Sequence, residues 1–181
     1  LKIDVSYAKG NTKNVISTSG GSPSFAMFGG TDRIGAYQSI GFGQTSDAVF
    51  LPGFLTGGAT GDIKLTEAWG VRGAFNHNWD PFWSTSFWGS YAGVRYNGDA
   101  FDILSAKGQF CASFNFGKTR SADYSCNPDF NIAQVGMVTR WTPVKNLTFS
   151  GEVGAFFLDQ KFTGAVGPGG AAVAAPKPVA V

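Results

Sequence analysis

The sequence predicts an all-β protein, specifically an antiparallel transmembrane β-barrel, on three observations. Charged residues make up 14% of the 181-residue chain while aromatics reach 15% and glycine contributes 26 residues, against roughly 25% charged in a soluble globular protein. No run of ~18 apolar residues exists and mean hydropathy is near zero, which excludes a helical membrane protein. Apolar residues instead alternate along stretches of about ten residues or more, the length a tilted strand needs to cross a bilayer core.

The strongest alternation lies between Gln134 and Leu158. Ala133, Val135, Met137, Thr139 and Trp141 oppose Gln134, Gly136 and Arg140, with Val138 the exception. After a turn expected over Thr142, Pro143, Val144, Lys145 and Asn146, the odd positions Leu147, Phe149, Gly151, Val153, Ala155 and Phe157 oppose Thr148, Ser150, Glu152 and Gly154. A period of two on both sides of a turn predicts a hairpin.

In chain order, Leu1, Ile3, Val5 and Tyr7 alternate with Lys2, Asp4, Ser6 and Ala8, a strand followed by a polar loop from Gly10-Asn11. Apolar residues return at Val15-Ile16 and at Phe25 to Phe28, where a second strand is placed without sharp limits, and Gly29-Gly30-Thr31-Asp32 is turn chemistry. A third strand is expected from Ile34 to Val49, ending near Phe50, then a Gly-rich loop from Pro52 to Gly61. A long strand from Ile63 to Asn78 sets Leu65, Trp69, Val71, Gly73 and Phe75 against Thr66, Ala68, Gly70, Arg72 and Asn76. Trp79 to Trp83 forms a short turn on the same end as the later hairpin turn. The return strand, Ser84 to Tyr96, has no assignable facing, because Phe87 and Tyr91 compete with Trp88, Val94 and Tyr96.

Asn97 to Asp129 reads as the longest irregular segment. Long external loops alternating with short turns suit a barrel better than a compact soluble fold. It holds the only cysteines, Cys111 and Cys126, whose spacing suits a loop disulfide in an oxidising compartment, with two unpaired thiols as the alternative. The barrel segment is taken as residues 1–163 and residues 164–181 as a Gly/Ala/Pro-rich loop or tail. About seven strands result, an odd number, with no strand at either end that could close the sheet, so the chain is expected to be part of a larger barrel. Its signal peptide, if it is exported, is expected upstream of Leu1.

Four stretches carry a family resemblance: Ser22-Pro23-Ser24-Phe25-Ala26-Met27-Phe28-Gly29, Leu65-Thr66-Glu67-Ala68-Trp69-Gly70, Trp83-Ser84-Thr85-Ser86-Phe87-Trp88-Gly89-Ser90-Tyr91 and Trp141-Thr142-Pro143-Val144-Lys145-Asn146-Leu147. Together they resemble the general porins of alphaproteobacterial outer membranes. The resemblance implies a sixteen-stranded, trimeric, water-filled channel in outer-membrane lipid, passing ions and small hydrophilic solutes by passive diffusion. The chain departs from the family by lacking its N-terminal strands, its closing C-terminal strand and its terminal aromatic residue. It is similar to the later part of the barrel, so the inward-folded constriction loop is expected to be absent.

No enzyme signature is present. His77 is the only histidine, so neither a catalytic triad nor a histidine metal cluster can be assembled, and beside Asn76 and Trp79 near a turn it reads as an interface or strand-end residue. Gly41-Phe42-Gly43 lacks the third glycine of a dinucleotide loop, and the Asn146-Leu147-Thr148 sequon is taken as chance. With net charge +2 and no basic block, nothing points to nucleic acid, and no cofactor is expected.

The candidate site residues are the polar strand positions. Arg72, Asn76, Gln134, Arg140, Thr148, Ser150 and Glu152 are the pore-lining candidates, and Trp69, Val71, Phe75, Leu147, Phe149, Val153 and Phe157 the lipid-facing ones. An Arg turned to lipid at mid-depth costs ~2–4 kcal/mol, so Arg72 and Arg140 are expected to face water, where they would bias ion passage; the alternative is mutual pairing with neighbouring strands. A second reading from another class is a structural or adhesive β-protein, its hairpins forming a closed sandwich and its Cys111–Cys126 loop binding a partner. Solubility without detergent separates the two.

Overall fold

A computed structural model describes residues 1–16, 24–29, 39–44, 46–56, 61–120, 122, 124–161 and 166–168. In chain order the strands are β1 (Lys2–Lys9), β2 (Ser24–Gly29), β3 (Ser39–Gln44), β4 (Ala48–Leu51), β5 (Asp62–Leu65), β6 (Glu67–Asn78), β7 (Trp83–Arg95), β8 (Lys118–Arg120), β9 (Phe130–Val144), β10 (Leu147–Gln160) and β11 (Val166–Pro168). Seven of them are six residues or longer, in line with the seven expected. The helices are α1 (Gly53–Thr56) and α2 (Ala106–Asn115), with a 3-10 turn at Thr12–Asn14.

Five strands form one antiparallel sheet in the order β1-β6-β7-β9-β10, and β2-β3, β4-β5 and β8-β11 form separate antiparallel pairs. The all-β antiparallel prediction holds, and the sheet is open rather than closed on itself. Both short turns lie at one end. Thr142 N donates to Phe82 O at 2.7 Å, tying the β6-β7 turn to the β9-β10 hairpin.

Several boundaries differ from expectation. The long strand from Ile63 breaks at Thr66, where the chain changes partner: Asp62–Leu65 pairs with Ala48–Leu51, while Glu67–Asn78 pairs with β1 and β7. Fully buried Thr66 is fixed there by its N donating to Asp47 O (3.0 Å) and its O accepting from Gly10 N (2.8 Å). The single strand expected from Ile34 to Val49 is interrupted at Ser46-Asp47, and the Asp47 carboxylate accepts from Thr12 N and Thr12 Oγ1; positions 31–38 lie outside the described residues. Val15-Ile16 continues the 3-10 turn rather than starting a strand. The five-residue turn is two residues, Lys145-Asn146, because β9 runs through Pro143 to Val144 and Asn146 adopts φ 69°, a conformation asparagine tolerates.

The segment read as irregular, Asn97 to Asp129, contains the ten-residue α2. Ser105 caps it, its Oγ accepting from Gly108 N at 3.0 Å, which satisfies one of the helix's orphan donors. Gly108 is required: a Cβ there would meet Asp102 O at 2.0 Å. Cys111 and Cys126 form a disulfide with Cα atoms 5.9 Å apart, joining α2 to the chain that re-enters the sheet. Lys107 Nζ donates to Asp129 Oδ2 at 2.7 Å with both side chains largely buried, and Asp129 Oδ1 accepts from Tyr96 N. The Gly-rich loop after Pro52 opens with α1. Of the loop or tail at 164–181, Val166–Pro168 pairs with Lys118–Arg120 and the remainder lies outside the described residues.

The core is small and one-sided. Ile16, Ala68, Ala92, Val94, Tyr96, Phe130 and Ile132 cluster under the Val15-Ile16 turn, with Val49 and Leu158 at the margin. A Cβ on Gly70 would come within 2.9 Å of Val15 Cγ1, so the glycine lets this turn settle on the sheet.

Candidate functional site

Cross-strand partners share a face of a sheet, and the register here pairs even with even and odd with odd throughout, except where Leu147 meets Val144 beside the hairpin turn, ahead of a register shift. Lys2↔Ala74, Ala74↔Trp88, Trp88↔Gly136 and Gly136↔Gly154 carry one face from β1 to β10. Each of the five strands therefore presents its even residues to one side and its odd residues to the other.

The odd face is apolar and uncovered. Ile3, Val5, Tyr7, Trp69, Val71, Phe75, Phe87, Tyr91, Val135, Met137, Leu147, Phe149, Val153 and Phe157 are all exposed. Aromatics mass toward its two ends. At the short-turn end Trp83 and Trp141 have ring centroids 6.3 Å apart, Trp141 and Phe149 5.8 Å, and His77 lies edge-on to Trp79 at 4.3 Å. Toward the loops, Trp69 and Tyr91 meet at 5.4 Å. Beyond them the face turns polar: Lys9 Nζ lies 3.0 Å from Glu67 Oε1, and Arg95 donates to Phe130 O and Asn131 Oδ1.

The even face carries the polar set. Arg72 Nε donates to Asp4 Oδ1 at 3.0 Å, with both side chains half exposed. Arg140 Nη1 donates to Ser86 Oγ (3.1 Å), which donates to Asn76 Oδ1 (2.7 Å), and Asn76 Nδ2 donates to Asn78 Oδ1 (2.9 Å). Thr148 and Thr142 share a hydroxyl hydrogen bond of 2.9 Å. Ser150 pairs in register with Arg140 and Glu152 with Val138. All seven pore-lining candidates have even numbers and all seven lipid-facing candidates odd ones, and apart from Leu147 and Thr148, which precede the register shift in β10, the shared parity puts each set on one side of the sheet.

The register also gives β7 its facing, which alternation left open: Phe87 and Tyr91 join the apolar face, Trp88 and Val94 the polar one. Three polar-face residues, Asp4, Trp88 and Ser90, are not among the candidate site residues. Asp4 and Ser90 become informative only opposite Arg72, and Trp88 sits where a polar residue would be expected. Together with Arg72, Gln134 and the Val15-Ile16 turn they border a groove of about 890 Å³.

The family model described as porin subfamily matches residues 3–177. The chain belongs to the porin subfamily. This is a family of bacterial outer-membrane channels rather than enzymes, which accords with a sheet whose two faces differ so sharply. No curated protein and no solved structure matches this porin significantly. Among its described residues, no group of three or more His, Cys, Asp or Glu could hold a metal ion, and His77 stands at the end of β6 against Phe75 and Trp79.

Proposed function

We propose that this porin contributes a wall of a water-filled channel through the outer membrane, open to passive diffusion of ions and small hydrophilic solutes. The even face lines the channel, with Arg72, Asn76, Gln134, Arg140, Thr148, Ser150 and Glu152 toward water; the odd face, with Trp69, Val71, Phe75, Leu147, Phe149, Val153 and Phe157, meets lipid. The observation that carries the reading is the parity shared by five strands, interrupted only at the register shift beside the β9-β10 turn. An apolar face of this extent would be an aggregation surface in water, and in hydrocarbon it is matched.

The dimensions support it. Trp83 and Tyr91, at the two ends of the apolar part of the odd face of β7, are eight positions apart, about 27 Å along a strand. At a tilt of ~40° that is about 20 Å along the membrane normal, near the ~25 Å apolar band between the aromatic girdles of outer-membrane barrels. Residues 1–163 are read as the barrel segment and residues 164–181 as a loop or tail, a reading supported by the pairing of Val166–Pro168 with Lys118–Arg120 of the long loop segment. Sixteen strands and a trimer are the assembly that the family resemblance implies.

Single-cysteine variants of the full-length protein, reconstituted in vesicles and treated with a water-soluble thiol reagent, test the facing. Ser150→Cys and Glu152→Cys are expected to react, and Val153→Cys and Phe157→Cys to be protected. Equal labelling of both sets would reject the assignment. Chemical cross-linking followed by mass measurement tests the trimer.

A further inference from the structure

The groove on the even face has a composition that diffusion alone does not require. Its aromatic wall is Trp88, whose indole extends across β9 onto β10: a Cβ on Gly136 would meet Trp88 Cζ2 at 2.3 Å, and one on Gly154 would meet the same atom at 3.2 Å. Two glycines in register thus make a seat for the ring, and the half-buried indole borders the groove. In the next row on the same face stand the Asp4–Arg72 pair and the in-register Ser90 and Gln134. Arg72 has its Nε on Asp4, and among the described residues no other partner takes its terminal nitrogens. The volume of about 890 Å³ lies in the range of small-molecule sites, about 300–1,000 Å³.

This combination favours one class of solute. An aromatic π-face is negative and attracts the weakly positive C–H groups on the apolar side of a pyranose ring, while hydroxyls around that ring both donate and accept. Asp4 accepts, Arg72 donates, and Ser90 and Gln134 do both. The ion pair cancels its own charge, so neither a simple cation nor a simple anion is selected; Lys2 adds one exposed cation at the margin. We propose that this groove is a saccharide subsite, with a neutral sugar ring stacked on Trp88 and its hydroxyls held by Asp4, Arg72, Ser90 and Gln134. The proposal rests on the even face being the channel side.

Single-channel recording of the full-length porin in planar bilayers, with maltotriose added, tests it. Concentration-dependent interruptions of the current are expected in the parent, and not with acyclic sorbitol at equal mass concentration. Trp88→Ala should weaken the apparent affinity by about tenfold, the scale of one lost aromatic contact, while Trp88→Phe keeps most of it and ion conductance persists in both. Should Trp88→Ala fail to insert, Trp88→Leu fills the space without a π-face and is expected to show the same loss. Interruptions of equal strength in the parent and the non-aromatic variant would overturn the subsite. A parent that conducts without interruption by maltotriose would overturn it too while leaving the channel reading intact, whereas a parent that forms no conducting pore would overturn both.

Discussion

Arg72 and Asp4 face each other across the β1-β6 ladder at 3.0 Å, whereas Arg140, on the same side of the sheet, has no carboxylate partner among the described residues and is held by Ser86. Two arginines equivalent by sequence pattern are therefore unequal as sources of field. Arg140→Gln is expected to lower anion preference more than Arg72→Gln, and Asp4→Asn, which frees Arg72, to raise it. Reversal potentials under a salt gradient read this directly, with larger differences at low salt, where screening is weaker. Equal shifts from both arginine variants would show that the pair does not cancel.

Gly136 lies under the Trp88 ring, where a Cβ would come within 2.3 Å of Cζ2. Gly136→Ala sets a methyl against Trp88 and 2.9 Å from Val153 O, and overpacking of this kind costs about 1–3 kcal/mol. Combining it with Trp88→Ala should recover part of that loss, the remainder being the backbone contact. Urea unfolding in lipid vesicles measures both.

Lys107 and Asp129 anchor the α2 loop to the sheet. Asp129→Asn keeps an acceptor for Tyr96 N but leaves the largely buried Lys107 ammonium unpaired, and is expected to destabilise by about 3 kcal/mol. Adding Lys107→Met should restore most of it. A milder single variant than double variant would refute this account.

The disulfide closes a fifteen-residue separation, a constraint worth roughly 3 kcal/mol. Intact-mass analysis of the natively exported protein should find two alkylatable thiols only after reduction. Hydrogen exchange across 106–115 should then accelerate while β9-β10 is unaffected.

Burial raises the Tyr96 phenol above its ordinary value of 10.0. The folded state thus keeps this proton to higher pH than the unfolded state does. Its contribution is complete below pH 10 and declines as pH rises beyond, by about 1.4 kcal/mol per pH unit. Tyr96→Phe is expected to flatten the alkaline fall in unfolding stability, whereas Tyr124→Phe, at a more exposed phenol, should flatten it less. An unchanged alkaline slope in Tyr96→Phe would refute the assignment.

Much of the sheet was legible because a strand with one apolar face writes its orientation into alternate residues, as Phe149 to Phe157 do. What failed to show were features that depend on a second segment. Thr66 looks like any strand residue until Gly10 and Asp47 bind its backbone. Trp88 made β7 ambiguous because its room comes from glycines on β9 and β10. In α2, the Gly, Ser and Asn content masked a helix whose start is signalled only by Ser105 and the carbonyl packing at Gly108. The polar side was readable as a set of residues, yet its pairing was not, since Asp4 and Arg72 are 68 positions apart.

The common parity of β1, β6, β7, β9 and β10 also limits how such a chain can diverge. Inserting or deleting one residue within a strand inverts every side chain beyond it, turning Arg140 or Glu152 outward and Phe149 inward. Length changes inside these strands are thus expected in twos, or opposite a compensating bulge such as the register shift between Leu147 and Phe149. The segment between Tyr96 and Phe130 obeys no such arithmetic, so lineages of this porin should differ in length there first.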